Sequence, residues 1–423
     1  MVKAVSDLSF KRSATVKNIA LLALLLLGAL TLNAQVRVVT PAGGPPPIGP
    51  YSPGISTGDY LYVSGQGAIA PDGRMPQEFG EQVRQTLANV KAIVEADGLT
   101  MEHVVYTQVY LKDLTKFDEL NRVFGEFFPK TPPARATLGV ADLPGNTPVE
   151  INAVAVRNLA PKQVVKLGRH VADEPISFGI LTHDRLFVSG MRGRDLMTGK
   201  VPREAAAQVE LALDGFNAVV EAAGLTLRHV VFVNPYLTKE IPMDLMNDLY
   251  ARRFEFGNTA ARATIRVASL PESAQIEFTG VAVRDLAQRR AVRPKNMPPS
   301  PTASPCAFAG DTLYCSAKSG FIPGPNSGIY AVSVEHQVRQ TMRNLLDGLE
   351  EADLDFSQVV AANVYLDNIA DFPAMNKVYR QYFQSVPPTR TTIQQIEPGK
   401  REPDAEGRYP ALEQISIVAV RPR

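Results

Sequence analysis

The fold of this chain is decided by PPARAT at residues 132–137 and VEINAVAV at residues 149–156. These stretches return as AARAT at 260–264 with IEFTGVAV at 276–283, and as PPTRTT at 387–392 with LEQISIVAV at 412–420. Each copy places an arginine ahead of a glutamate that lies in an apolar strand. Because Arg135, Arg262 and Arg390 are 127 and 128 residues apart (262−135 and 390−262), the chain is one unit repeated three times.

Length and composition fit a globular protein of about three domains. The 423 residues are 45% apolar and 21% charged, so each third of the chain can bury a core. The net charge of +1 provides no basic field for nucleic acid, and Trp is absent. The five histidines form no metal-binding motif with the cysteines. Composition therefore argues against a nucleic-acid partner and against a metal site.

Residues 1–34 are typical of a secretory signal peptide. Lys11, Arg12 and Lys17 precede an apolar run over residues 19–32, which is shorter than the roughly 20 residues that span a bilayer. A small residue ends the segment, so we expect cleavage after Ala34. Leu32 fits the cleavage pattern imperfectly, so an uncleaved anchor stays an alternative, as does a buried core helix. We expect a periplasmic or extracellular protein that touches a membrane only through an uncleaved signal segment.

Each repeat predicts an α+β domain of order ββ-α-β-α-ββ, with its helices over one face of a sheet. In repeat one, residues 60–66 alternate as in a half-buried strand after a turn at Gly58 and Asp59. Apolar residues recur at helical spacing from 78 to 97 and end at Gly98. The later elements are a strand at 103–111, a helix at 117–128 and strands at 135–140 and 149–156. The predicted domains are 35–160, 161–288 and 289–423, with linkers near 159–164 and 287–304; the second is expected to be a flexible connector.

The two cysteines belong to repeat three. If Gly310 and Asp311 form a two-residue turn, Cys306 and Cys315 face each other across a hairpin. In an oxidising compartment that position permits a disulfide, and the alternative is two small buried thiols.

The ordered motifs of repeat one resemble those of the reactive intermediate deaminase family (RidA, also called YjgF), here in tandem triplicate. The resemblance covers about residues 45–421. It is carried by IGPYS at 48–52, VSGQ at 63–66, Asn121, PARAT at 133–137 and VEI at 149–151. It implies a chorismate-mutase-like fold, trimers with a ligand cleft at each subunit interface, and hydrolysis of enamines and imines such as 2-aminoacrylate to 2-keto acids and ammonia without cofactor or metal. Three fused units suggest that one chain closes as a monomeric pseudo-trimer with three unequal clefts.

The resemblance also assigns roles to residues of repeat one. Arg135 is expected to clamp the substrate carboxylate through two charge-assisted hydrogen bonds, and Glu150 to hold and deprotonate the attacking water. The pocket residues are expected to be Tyr51, Ser64, Gly65 and Asn121. Secondary candidates are Ser189, Asn247, Arg262 and Glu277 in repeat two, and Ser316, Asn376, Arg390 and Glu413 in repeat three.

Each candidate also has a plain structural interpretation. A single Arg before a strand is usually a surface charge, and a single Glu in a strand usually faces solvent. The threefold recurrence of both, with the Ser and Asn positions, favours function. We interpret His103 and His229, which open equivalent strands, as surface or structural residues.

Repeats two and three depart from the pattern. Repeat two has Glu174-Pro175-Ile176-Ser177 where repeat one has Gly-Pro-Tyr-Ser, and its Met191 and Arg192 replace Gln66 and Gly67. Repeat three has Ala303, Ala317 and Lys318 where repeat one has Tyr51, Gly65 and Gln66, and an insertion at 399–409 that could cover or block a cleft. We therefore expect repeat one to supply the best-preserved catalytic set of an exported, cofactor-free imine or enamine deaminase. The alternative is an exported carboxylate-binding or scaffold protein without turnover.

Overall fold

A computed structural model describes residues 36–168, 174–324, 328–383 and 385–422. The predicted signal peptide lies outside these ranges. None of the helices in the described part of the chain combines the length and the apolar character needed to cross a membrane.

Each repeat forms one mixed sheet with two helices, and a short strand precedes the predicted elements. Repeat one contains β1 (Arg37–Val39), β2 (Gly54–Ser56), β3 (Tyr60–Gln66), α1 (Phe79–Ala96), β4 (Val104–Leu111), α2 (Phe117–Phe127), β5 (Ala134–Gly139) and β6 (Val149–Val156). Repeat two contains β7 (Gln163–Val165), β8 (Gly179–Leu181), β9 (Arg185–Arg192), α3 (Ala205–Ala222), β10 (Val230–Leu237), α4 (Met243–Ala251), β11 (Ala261–Arg262), β12 (Ile265–Arg266) and β13 (Ile276–Val283). Repeat three contains β14 (Arg289–Val292), β15 (Cys306–Ala309), β16 (Thr312–Ser319), β17 (Phe321–Ile322), β18 (Ile329–Tyr330), α5 (Val334–Glu350), β19 (Val359–Leu366), α6 (Phe372–Tyr379), β20 (Thr389–Gln394) and β21 (Glu413–Val420).

The α+β prediction is confirmed, and the strand order is the same in all three sheets. The orders are β1-β2-β3-β6-β4-β5, β7-β8-β9-β13-β10-β11 and β14-β15-β16-β21-β19-β20, with β12 also paired to β10. In each sheet the strand that carries the repeated arginine pairs in parallel at the edge. The β12 strand also pairs in parallel with β10, and the remaining pairs are antiparallel. The predicted flexible connector at 287–304 is partly wrong, because β14 within it adds to β15 and extends the third sheet.

The predicted helix of repeat one shows why the sequence folds locally as it does. The apolar residues Val83, Leu87, Val90 and Val94 of α1 are buried against the sheet. The helix ends before Gly98, whose φ of +73° is a left-handed conformation that glycine adopts without strain. Each repeat has such a core between its helices and one sheet face. The other faces meet in one shared cluster that contains Tyr62, Phe187 and Tyr314.

The three repeats are joined in a cyclic order by the same backbone contact. The amide N–H of Arg135 donates to Ser189 Oγ at 2.8 Å, that of Arg262 to Ser316 Oγ at 2.8 Å, and that of Arg390 to Ser64 Oγ at 2.9 Å. Repeat one therefore contacts repeat two, repeat two contacts repeat three, and repeat three returns to repeat one. This is the predicted pseudo-threefold arrangement within one chain.

Two further expectations concern repeat three. Cys306 pairs with Cys315 in the predicted hairpin register, and the two are joined as a disulfide. The insertion at 399–409 contacts its own repeat, where Arg401 pairs with Asp371 at 2.7 Å and Asp367 at 3.3 Å.

Candidate active site

Three clefts lie where neighbouring repeats meet. We name them the 1/2, 2/3 and 3/1 clefts, after the repeat that supplies the arginine and the repeat that supplies the serine beneath it. The arginines are Arg135, Arg262 and Arg390 respectively. Each cleft combines side chains from two repeats, so its composition cannot be read from one repeat alone.

The 3/1 cleft has a positioned arginine on the side of repeat three. Nη1 of Arg390 donates to Oδ1 of Asn376 at 2.7 Å. The guanidinium carbon lies over the Tyr379 ring and over the Phe372 ring, 5.1 and 5.3 Å from their centroids. The centroid of the Tyr51 ring, from repeat one, lies 5.7 Å from the same guanidinium carbon. Among the described residues no carboxylate forms a salt bridge with Arg390, so this buried cation is available to an anionic ligand.

Repeat one supplies a carboxyl group to the same cleft. Burial raises the pKa of Glu150 to about 8, although a hydrogen bond from the Thr392 backbone and the charge of Arg390 both favour ionisation. A carboxyl group that titrates near neutral pH can accept a proton and return it. The 3/1 cleft therefore places a carboxylate-binding cation and a proton-transfer group together.

Two glycines make room for these groups. A Cβ at Gly49 would lie 2.4 Å from Nη2 of Arg390, and a Cβ at Gly65 would lie 1.9 Å from Oε1 of Glu150. Contacts shorter than 3.0 Å require a neighbour to move. Gly49 and Gly65 therefore let the two functional groups lie directly against the backbone of repeat one.

The predicted pairing of Arg135 with Glu150 is wrong. Arg135 lies on β5, the edge strand that faces β9 of repeat two, whereas Glu150 lies on β6 beside β3, which faces β20 of repeat three. Tyr51, Ser64 and Gly65 accompany Glu150 in the 3/1 cleft. Asn121 accompanies Arg135 in the 1/2 cleft, where its Oδ1 accepts from Nη2 at 2.6 Å.

The 1/2 cleft is occupied by a carboxylate of the protein itself. Glu174 stands where repeat one has Gly49, and its Oε2 accepts from Nη2 of Arg135 at 2.8 Å. Its other oxygen pairs with Arg192. Burial raises the pKa of Glu277 to about 7 in the same cleft, while Arg192 and Arg135 lower it. Glu174 thus neutralises Arg135, in contrast to Arg390, which has no carboxylate partner among the described residues. The sequence showed only that a tyrosine was lost nearby.

Strand register corrects the glutamate assigned to repeat three. Tyr110 pairs with Glu150 in repeat one, and its counterpart Tyr365 pairs with Gln414 in repeat three. Glu413 is one residue earlier, and its side chain points to the opposite face, where Oε1 accepts a hydrogen bond from Thr341 Oγ1. The 2/3 cleft therefore contains Gln414 in place of a carboxyl group. Aligning the shared IVAV, GVAV and AVAV endings of these strands would have shown this.

The remaining candidates differ between clefts. Asn376 contacts its arginine as Asn121 does, but the buried side-chain oxygen of Asn247 has no hydrogen-bond partner among the described residues.

Each of the three serines bonds to the backbone of two repeats. The hydroxyl groups of Ser64, Ser189 and Ser316 accept from the arginine N–H of the neighbouring repeat, and each donates to a carbonyl group 12 residues earlier at 2.6 Å. They therefore join repeats, which is a structural role beside any role in the pocket.

His103 and His229 make structural hydrogen bonds, as predicted. Nδ1 of His103 accepts from the Thr100 N–H at 3.0 Å, and Nδ1 of His229 accepts from the Thr226 N–H at 3.2 Å. In the described ranges, no group of three or more His, Cys, Asp or Glu side chains is placed to hold a metal ion.

Comparison with known proteins adds to this geometry. The sequence profile of the family described as Endoribonuclease L-PSP matches residues 43–157, 169–284 and 300–397. A RutC family protein from Aquifex aeolicus is 41% identical over 125 residues, which are 29% of this chain and 100% of that protein. An Escherichia coli protein named 2-iminobutanoate/2-iminopropanoate deaminase is 41% identical over 125 residues. These residues are 29% of this chain and 98% of the E. coli protein. The crystal structure of the YjgF gene product from E. coli matches with 40% sequence identity and a TM-score of 0.28. The match covers 29% of this chain and 99% of the YjgF chain.

Proposed function

The chain belongs to the Endoribonuclease L-PSP family, and from that membership we propose that it is an imine deaminase whose catalytic site is the 3/1 cleft. The substrate class is a 2-imino acid or its enamine tautomer, such as 2-aminoacrylate, which is converted to a 2-keto acid and ammonia. The relatives named 2-iminobutanoate/2-iminopropanoate deaminase support this reaction. One observation carries the proposal: Arg390 and Glu150 come from different repeats and share one cleft. Among the described residues, no other cleft combines a carboxyl group with an arginine that lacks a carboxylate partner.

Substrate binding rests on Arg390. A planar carboxylate accepts two parallel hydrogen bonds from a guanidinium group, which fixes its orientation as well as its position. Asn376 and the rings of Tyr379 and Phe372 hold the guanidinium group in place. The substrate's imine carbon is then directed toward the side of repeat one, where Glu150 lies.

Hydrolysis needs one water molecule, and both of its protons must be transferred to nitrogen. Water attacks the imine carbon while Glu150 accepts the first proton and passes it to nitrogen, which gives a neutral tetrahedral carbinolamine. Glu150 then accepts the proton of the new hydroxyl group and passes it to nitrogen, so that the C–N bond breaks, ammonia leaves and the carbonyl group forms. A carboxyl group whose pKa is about 8 suits both transfers near neutral pH.

The test is release of ammonia and keto acid from 2-aminoacrylate generated in the assay. We expect turnover by the purified protein and a loss of about 10²- to 10⁴-fold in kcat in Glu150→Gln, with binding of 2-oxobutanoate retained. Single-stranded RNA serves as a control for the activity that the family description names. Binding of 2-oxobutanoate without turnover in the unaltered protein would instead support the carboxylate-binding alternative.

We also propose that the protein is exported and acts as a single chain. The basic and apolar pattern of residues 1–34 supports export. The three interfaces between repeats form the clefts within one chain, so separate subunits are not needed to form them. Cell fractionation and native mass spectrometry test these two points; a cytosolic protein or an obligate oligomer would contradict them.

A further inference from the structure

The cluster shared by the three repeats contains the same row of side chains on the inner face of each sheet. Each row consists of an aromatic residue, a valine and a third residue that face one another across three neighbouring strands. Strand pairing gives these rows as Tyr62, Val154 and Tyr106; Phe187, Val281 and Phe232; and Tyr314, Val418 and Ala361. The third repeat therefore has alanine where the other two repeats have a second ring.

Rings of neighbouring repeats stack in pairs across two of the three interfaces. The centroids of the Tyr106 and Phe187 rings lie 6.1 Å apart, with an angle of 24° between their planes. Those of Phe232 and Tyr314 lie 5.7 Å apart, with an angle of 29°. These distances fall in the range at which aromatic rings attract each other. An aromatic pair thus closes the inner side of the 1/2 interface and of the 2/3 interface.

The third interface lacks one ring of its pair. Between repeats three and one, β19 contacts β3 as β4 contacts β9, so the residue that corresponds to a ring opposite Tyr62 is Ala361. A cavity of about 90 Å³, which we name the axial cavity, has both Tyr62 and Ala361 in its wall. An apolar cavity of about 150 Å³ in a protein interior binds benzene. The axial cavity is therefore suited to a single six-membered ring and to nothing much larger.

A layer of amide and hydroxyl groups next to the rings gives the axial cavity a polar side. Its cross-strand pairs are Gln108 with Asn152, Asn234 with Thr279, and Asn363 with Ser416, and all of them line the cavity. Asn152 donates to Gln108 at 2.9 Å, and Asn234 donates to a backbone carbonyl group at 3.1 Å. Within the described residues the side chain of Asn363 forms no hydrogen bond. Because Asn363 lies two residues along the strand from Ala361, its amide is on the same face, beside the missing ring.

Arg390 is the charged residue among those that line the axial cavity. Its side chain leaves β20 on the opposite face, where Nη1 bonds to Asn376 in the 3/1 cleft. The next residue, Thr391, faces the axis, and its Oγ1 accepts from Asn152 at 2.9 Å. The cavity therefore offers aromatic faces and amide groups but no countercharge for an ion. Burying an unpaired charge is costly, so a neutral ligand is favoured.

We propose that the axial cavity binds one small neutral aromatic molecule of the phenol class. Its ring takes the place of the missing side chain at residue 361 and stacks on Tyr62, and its hydroxyl group bonds to the amide of Asn363. A bound ring completes the third aromatic pair and stabilises the closed arrangement of the three repeats. The site is separate from the three clefts and does not rest on the proposed deaminase activity.

Calorimetric titration of the protein with phenol and with cyclohexanol tests this site. Cyclohexanol has a six-membered ring and a hydroxyl group but no aromatic face. We expect one phenol per chain with a dissociation constant below about 1 mM, and at least about fivefold weaker binding of cyclohexanol, because stacking is lost. In Asn363→Ala the affinity for phenol should fall by about 2- to 10-fold, because one hydrogen bond is lost.

Filling the cavity with a side chain of the protein locates the bound phenol. Ala361→Phe installs the ring of repeat two, and we expect it to abolish phenol binding because the side chain occupies the same space. Ala361→Ser is the matched control, since it leaves the cavity open and should still bind phenol. Thermal unfolding shows that each variant is folded, and the comparison of phenol with cyclohexanol needs no variant at all.

Three results would overturn the proposal. They are no binding of phenol at millimolar concentration, equal binding of phenol and cyclohexanol, or phenol binding by folded Ala361→Phe that is as tight as that of Ala361→Ser. The last result would place the phenol elsewhere on the protein. Because no turnover is measured, failure here leaves the deaminase proposal intact, and the reverse also holds.

Discussion

Replacing Gly65 by alanine should remove most of the deaminase activity without disturbing the fold. A Cβ at residue 65 would lie 1.9 Å from Oε1 and 2.7 Å from Cδ of Glu150, whereas ordinary contacts begin at 3.4 Å. The carboxyl group is the far end of a flexible side chain, so it should move by roughly 1.5 Å while the strand stays in place. Because a misplacement of about 1 Å can lower a rate by about 10²-fold, we expect kcat/KM to fall by at least about 10²-fold.

Gly190 provides the matched control. A Cβ there would lie 2.0 Å from Oε1 of Glu277, which is nearly the same steric change in the closed 1/2 cleft. Ammonia release is measured for Gly65→Ala and Gly190→Ala, and urea unfolding reports the stability of both. We expect Gly190→Ala to keep the kcat/KM of the unaltered protein. Unchanged activity in folded Gly65→Ala, or an equal loss in both variants, would refute the reasoning.

Three other predictions concern the carboxyl groups. The value of kcat/KM should rise with pH toward about 8, because burial raises the pKa of Glu150 to about 8 and only its ionised form accepts a proton from water; a flat profile between about pH 6 and about pH 9 would contradict this. Glu174→Ala leaves Arg135 and Arg192 buried without this carboxylate, so urea unfolding should show a loss of about 3–5 kcal/mol. Added 2-oxobutanoate should restore part of that loss by occupying Arg135, and no recovery would show that Glu174 does not hold a ligand position. Burial also raises the pKa of Glu413 to about 8, so the folded state holds the proton more tightly than the unfolded state, and folding stability falls as pH rises from about 4.5 to about 8. Glu413→Gln should therefore have little effect at about pH 5 and stabilise the protein by a few kcal/mol at about pH 9, and equal effects at both pH values would count against a buried, titrating Glu413.

The repeated fold was predictable because local patterns and repetition agree. The apolar spacing predicted a helix at 78–97, and the structure has Phe79–Ala96. The turn at Gly310 and Asp311 gave the correct pairing of Cys306 with Cys315. Periodicity, turn chemistry and repeat length are local properties of the chain, and they determine the elements of each domain.

The site was less predictable because its residues come together only when the repeats meet. Arg135 and Glu150 are 15 residues apart in sequence (150−135), yet they lie on strands that face different neighbours. The partner of Glu150 is Arg390, 240 residues away (390−150). Spacing within one repeat cannot indicate which neighbouring repeat lies against each strand.

A register error of one residue explains the other incorrect assignment. Glu413 and Gln414 are adjacent, and successive side chains of a strand point to opposite faces. The glutamate was matched by residue type, whereas the pairing with Tyr365 places Gln414 at the functional position. The role of Glu174 was hidden for a related reason, because the sequence does not show that its carboxylate reaches Arg135.

The central claim is that catalysis occurs between repeats three and one. The most direct test is kcat/KM for ammonia release by Arg390→Gln and Arg135→Gln, measured on protein shown to be folded. Loss of two charge-assisted hydrogen bonds to the substrate should lower kcat/KM of Arg390→Gln by about 10²- to 10⁴-fold, while Arg135→Gln keeps the value of the unaltered protein. An inactive Arg135→Gln beside an active Arg390→Gln would contradict the account and move the reaction to the 1/2 cleft.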